Sequence, residues 1–251
     1  MLRSPRRLLG IALLAVAVSA LPSLVLGTHS WGGYHWARTS NPFTLKVGDN
    51  VGSAWDSYLD TSISDWSQST VLDLTKVTGA AKGKNCRPSA GRVEVCNGAY
   101  GSNGWLGIAQ IWVTGGVHIT QGSVRVNDTY LNTSTYSDPA WRNLVMCQEV
   151  GHTLGLDHQD TNFDNPNLGT CMDYTSSPGT NQHPDNHDRA ELQTIYAHLD
   201  STTTVGAIVN GSAAASGWGR LVSSSASSHS SIYRLDLGNG QSVLTHVIWA
   251  R

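Results

Sequence analysis

The chain has 251 residues, 14% of them charged, and a formal net charge of −2. That length suits one moderate domain with a real core and a small appendage. The folded, polar composition with nine Trp excludes a disordered chain, and the lack of a basic stripe excludes nucleic acid as the expected partner.

In chain order, Arg3, Arg6 and Arg7 precede an apolar run from Leu8 to Leu21, followed by small residues suited to cleavage after Ala20 or Gly27. This is the order of a secretory signal. Gly10, Ser19, Pro22 and Ser23 make a poor spanning helix, so residues 1–27 are expected to be removed and the protein secreted with no stable membrane anchor. Removal leaves 13 basic against 18 acidic residues.

A first strand is expected over 43–47. Trp55, Leu59, Ile63 and Trp66 then recur at intervals of three and four, which predicts a helix. Residues 70–77 and 92–96 are β-branched enough for strands. Two further strand-like runs flank Gly115 and Gly116, and alternation from Val117 through Val126 puts one side in a core. A second helix begins near Ser137 and Asp138, capping candidates ahead of Pro139. A third is expected from 188, with a capping box from Asp188 to Glu191 and an apolar stripe of Leu192, Ile195, Tyr196 and Leu199. From Ser201 the composition turns to Ser, Thr, Ala and Gly. Two apolar runs around Gly238-Asn239-Gly240 then read as a β-hairpin. The chain thus divides into a signal over 1–27, a main domain over 28–200, and a linker with terminal hairpin over 201–251.

Four cysteines, Cys86, Cys96, Cys147 and Cys171, favour two disulfides in an exported chain, with three possible connectivities. Cys86 with Cys96 would close a short loop, and Cys147 with Cys171 would tie the second helix to the segment TCMDY. No C-x-x-C pair supports a four-cysteine zinc site.

The chemistry concentrates in QEVGHTLGLDH, residues 148–158. Positions four apart on a helix face one way, so Gln148 and His152 address one point with Glu149 at its flank. Gly155 suits the left-handed turn that ends a helix, after which the chain can return His158 to the same locus. Two donors from the helix and one beyond it form an open tripod for a catalytic metal. Glu149 is then placed to move a proton.

With Met172, Asp173 and Tyr174 fourteen residues on, the segment resembles the metzincin clan of zinc endopeptidases, with Gln148 where the first histidine of H-E-x-x-H-x-x-G-x-x-H belongs. The resemblance spans roughly residues 30–200 and is strong at 145–175. It implies an α+β zincin-like fold: a twisted mixed sheet, three main helices, and an active-site helix followed by a Met-turn at Met172. It also implies bound zinc, His152 and His158 as ligands, Glu149 as general base, Tyr174 assisting the oxyanion, and a protein or peptide substrate. The implied cleft lies below an edge strand drawn from 106–126, which would pair with an extended peptide. The protein is expected to act as a monomer. The segment before the first strand holds no cysteine for an inhibitory switch.

An amide oxygen is a weaker zinc donor than an imidazole, which leaves three outcomes. Gln148 ligates through its oxygen; or Asp157, Asp160, Asp173, His183 or His187 replaces it; or the site is metal-free and the chain is a secreted binding module for protein or glycan. Asp160, Asp164 and Asn165 are oxygen donors of the kind that hold calcium, against the plainer account of a solvated loop. Asn127 and Asn132 fit glycosylation sequons. His29, His35, His118, His198, His229 and His246 receive no role.

Overall fold

A computed structural model describes residues 28–81, 85–207, 217–225 and 229–250. The signal read over 1–27, and part of the 201–251 linker, lie outside these residues.

The fold is α+β, a mixed sheet backed by helices. Nine strands are described: β1 (His35–Trp36), β2 (Phe43–Asn50), β3 (Leu72–Thr78), β4 (Val93–Gly98), β5 (Trp105–Thr114), β6 (His118–Asn127), β7 (Arg220–Ser225), β8 (Ser230–Gly238) and β9 (Gln241–Trp249). Their order is β3-β2-β4-β6-β5-β9-β8-β7, with β1 also paired to β6. The β2, β3, β4 and β6 pairings are parallel; those from β6 through β5, β9 and β8 to β7 are antiparallel.

Helix α1 (Asp56–Trp66) buries Leu59 and Trp66, as its spacing requires. A single turn, α2 (Asp128–Leu131), is capped by the buried Asn127 side chain, so that sequon offers no accessible amide. Helix α3 (Pro139–Thr153) starts where the sequence places it: Asp138 accepts from the Ala140 N–H, and Pro139 occupies the first turn. Helix α4 (Asn186–Ile195) starts earlier than expected. Its capping box joins Asp185 to Asp188, because Asp188 is drawn inward to His29 and Thr170. Leu199 lies past the helix and is exposed, so it is no part of the apolar stripe.

Both disulfides, Cys86–Cys96 and Cys147–Cys171, are formed. No described helix is long and apolar enough to cross a membrane.

The main core fills the space between the sheet and α1 and α3, and it includes Leu244 and Ile248 of β9. This corrects the expectation of an open edge. β5 is bonded to β6 on one side and β9 on the other, so no free strand edge remains there for an extended peptide. β9 is buried along both faces from Ser242 to Ile248, as suits an interior strand, and Leu244 and Ile248 gain more by joining the core than by remaining in a separate hairpin. The turn between β8 and β9 is the tight one its sequence favours, with positive φ at Asn239 and Gly240 and Gly238 paired to Gln241.

Candidate metal centre

Helix α3 passes beneath β5 and is buried on all sides from Leu144 to Thr153. Two glycines permit this approach. A side-chain carbon at Gly107 would come within 2.7 Å of Glu149 Oε1 and Val145, and one at Gly151 within 2.6 Å of Trp66 and 2.8 Å of Met172 Sδ. The helix end is satisfied by side chains: Trp36 Nε1 donates to the Thr153 carbonyl and the Tyr196 hydroxyl to that of Leu154, each at 2.9 Å.

Gly155 then takes φ +99°, with the Tyr34 carbonyl where a side chain would stand. Residues 29–31 brace the returning strand, because the Trp31 N–H donates to Gly155 O and the Asp157 N–H to His29 O. The turn that the motif requires is therefore fixed from outside as well as by glycine.

These elements bring His152 and His158 together, as the sequence predicts, with ring centroids 4.6 Å apart. The third member is His246, from β9. One ligand nitrogen from each of the three rings lies within 4.8 Å of the others. His246 pairs with Ala109 of β5, so its side chain points to the helix face between Leu244 and Ile248. The sequence carries little signal for it, because QSVLTHVIW is apolar at both alternating sets of positions and β9 is buried on both faces.

Hydrogen bonds set two of the rings. His152 Nδ1 lies 2.8 Å from the Leu156 carbonyl and can only donate to it. His158 Nδ1 donates to Asp157 Oδ1 at 3.1 Å. In the neutral rings the Nε2 lone pairs then face the cluster, and neither has a hydrogen-bond partner. Burial holds both histidines well below their ordinary pKa, reinforced by the neighbouring imidazoles, and pushes His246 down to about 4. Three neutral imidazoles are the protonation state a metal requires.

Glu149 is fully buried beside them, with its Oε2 3.5 Å from His246 Nδ1. Burial pushes its carboxyl up to about 8, opposed by the neighbouring His152 ring and by the Ala109 backbone. A cation among the imidazoles would draw it back toward the charged form. Tyr174 stacks on His158 at 4.0 Å, and its hydroxyl meets His246 Nε2 at 3.2 Å. Burial raises that phenol well above its ordinary value, keeping it protonated. Met172 is buried under the helix against Gly151.

Gln148 is buried and donates through Nε2 to the Cys171 carbonyl at 2.8 Å, which leaves its oxygen without a partner. The five candidate replacements are engaged elsewhere. Asp157 orients His158, and Asp173 accepts from Leu168 and Asn181. Asp160 accepts from Asn162 and Asn165, which gives the calcium reading no support. His183 contacts Asp65, and His187 stacks on His29.

The residues fit a divalent cation. Gln148 Oε1, both Glu149 oxygens and the Nε2 atoms of His152 and His158 are buried without hydrogen-bond partners. An unsatisfied buried polar group costs about 1–3 kcal/mol, and a cation held by His152, His158 and His246 would relieve the imidazole nitrogens that meet there.

No protein-family model and no curated protein sequence matches the chain. Among solved structures, high choriolytic enzyme 1, a hatching enzyme zinc-protease from Oryzias latipes (medaka fish), aligns over 65% of this chain and 94% of its own. Identity is 10% and the TM-score 0.36. At that score the likeness carries no argument about chemistry.

Proposed function

We propose that the chain is a secreted zinc metalloendopeptidase of metzincin type, in which His246 supplies the imidazole missing at Gln148. The observation that carries this reading is the convergence of three buried neutral histidines on Glu149. Two disulfides support an extracellular setting. Zinc, when bound, supplies Lewis acidity and lowers the pKa of water.

The chain's own residues supply the rest. Glu149 accepts the proton of the attacking water and returns it to the leaving amine. The protonated Tyr174 hydroxyl donates toward negative charge developing on the carbonyl oxygen. Met172 floors the site as a Met-turn, and His152 and His158 are held in their tautomers by Leu156 and Asp157.

Glu149, His152 and His246 are each at most 1% exposed, so peptide access requires the structure around the centre to open while His246 stays in place. That same burial favours the second reading, a non-catalytic metal-binding module. Zinc uptake and hydrolysis of an unstructured protein such as casein separate the two. Uptake with cleavage that a chelator stops supports the peptidase. Uptake without cleavage under any condition leaves the module, and no zinc uptake at neutral pH contradicts both.

A further inference from the structure

A second group of ligating side chains gathers where β1, the start of β6 and the segment after α4 meet, formed by residues that the buried centre does not use. His35, His198 and Asp200 each offer a ligand atom within 4.8 Å of the others. His35 Nε2 is 3.1 Å from His198 Nε2 and 3.6 Å from Asp200 Oδ1, and His198 Nε2 is 3.7 Å from the same oxygen. Tetrahedral zinc, with bonds of about 2.0–2.2 Å, sets neighbouring donors about 3.3–3.6 Å apart, and these three separations bracket that spacing.

The surrounding bonds prepare the donors. His35 Nδ1 lies 2.8 Å from the Gly33 carbonyl and must donate to it, which turns the Nε2 lone pair of the neutral ring toward the cluster. Asp200 Oδ2 accepts from the Arg38 backbone N–H at 3.1 Å and from its guanidinium at 3.0 Å, leaving Oδ1 to the histidines. His118 Nε2 stands 3.2 Å from that oxygen and steadies it from outside. Arg38 already neutralises part of the carboxylate charge, so the two imidazoles must carry most of the affinity. That selects zinc or a similar transition ion over calcium or magnesium. The His198 side chain is 52% exposed, so solvent can complete the coordination.

We propose that His35, His198 and Asp200 form a second, peripheral site for a divalent transition metal of the zinc class, which ties β1 to the segment following α4. The competing arrangement is a purely hydrogen-bonded cluster in which His198 Nε2–H donates to His35.

Equilibrium dialysis of the full chain against zinc, followed by elemental analysis, distinguishes them. The wild type should take up two equivalents and His198→Ala one. The exposed position of His198 lets that variant fold, which circular dichroism checks. The variant His152→Ala/His246→Ala should still bind one equivalent and should show a zinc-dependent rise in Tm that His198→Ala added to it abolishes. Equal uptake by wild type and His198→Ala would overturn the proposal, and that comparison decides even where the double variant fails to fold. Failure of the buried centre alone leaves the peripheral equivalent intact, so the two readings fail separately.

Discussion

Replacing His246 with alanine is expected to weaken zinc binding at the buried centre by more than about 100-fold, measured by competition with a chelator of known affinity. Changes to outer-shell partners alone cost about 10- to 100-fold, and removing one of three imidazoles costs more. The effect should far exceed that of Gln148→Ala, because Gln148 is anchored by its Nε2 to the Cys171 carbonyl and offers only an amide oxygen. The side chain at 246 also lies among Leu244 and Ile248, so the variant leaves a small cavity. Near-UV circular dichroism should nonetheless retain the native signature, since the pairing of β9 with β5 and β8 depends on backbone bonds and apolar neighbours. A Gln148→Ala loss equal to that of His246→Ala would show the helix, rather than β9, to be the source of the third donor.

Glu149→Gln is expected to lower peptide hydrolysis by about 10²- to 10⁴-fold while leaving zinc stoichiometry unchanged. The substitution is isosteric, so the close approach to Gly107 is preserved and only the proton-accepting function is removed. A fall in both hydrolysis and zinc content would make Glu149 a positioning or ligating group instead. Hydrolysis that survives at the wild-type rate would place the chemistry elsewhere.

Much of this fold is local enough to be read from the chain. Asp138 and Pro139 mark the start of α3, the spacing of Leu59 and Trp66 marks α1, and Gly155 marks the turn after the helix. Glu149, His152 and His158 follow from helical period plus one turn. Their convergence is a matter of about ten residues.

The third histidine is different. His246 reaches the site through pairing with Ala109, more than a hundred residues away, and such pairing leaves no local signature. β9 is apolar on both faces, so its pattern says neither which face His246 takes nor which strand β9 joins. For the same reason β5 read as a free edge, although β9 covers it. Helix α4 starts earlier than the sequence suggests because Asp188 has two uses. In sequence it looks like a cap; in the fold it is also the buried partner of His29 and Thr170. Likewise the group around Asp200 gathers residues 35, 118, 198 and 200, no two of which form a recognisable ligand spacing with a third.

The central claim is that a metal at the buried centre is held by His152, His158 and His246. Zinc-edge X-ray absorption on the His198→Ala protein loaded with one equivalent tests it most directly, because only that centre is then filled. The claim predicts three imidazoles around the ion, falling to two when His246→Ala is added. An imidazole count of two in both proteins, or a spectrum altered by Gln148→Ala and not by His246→Ala, would contradict it.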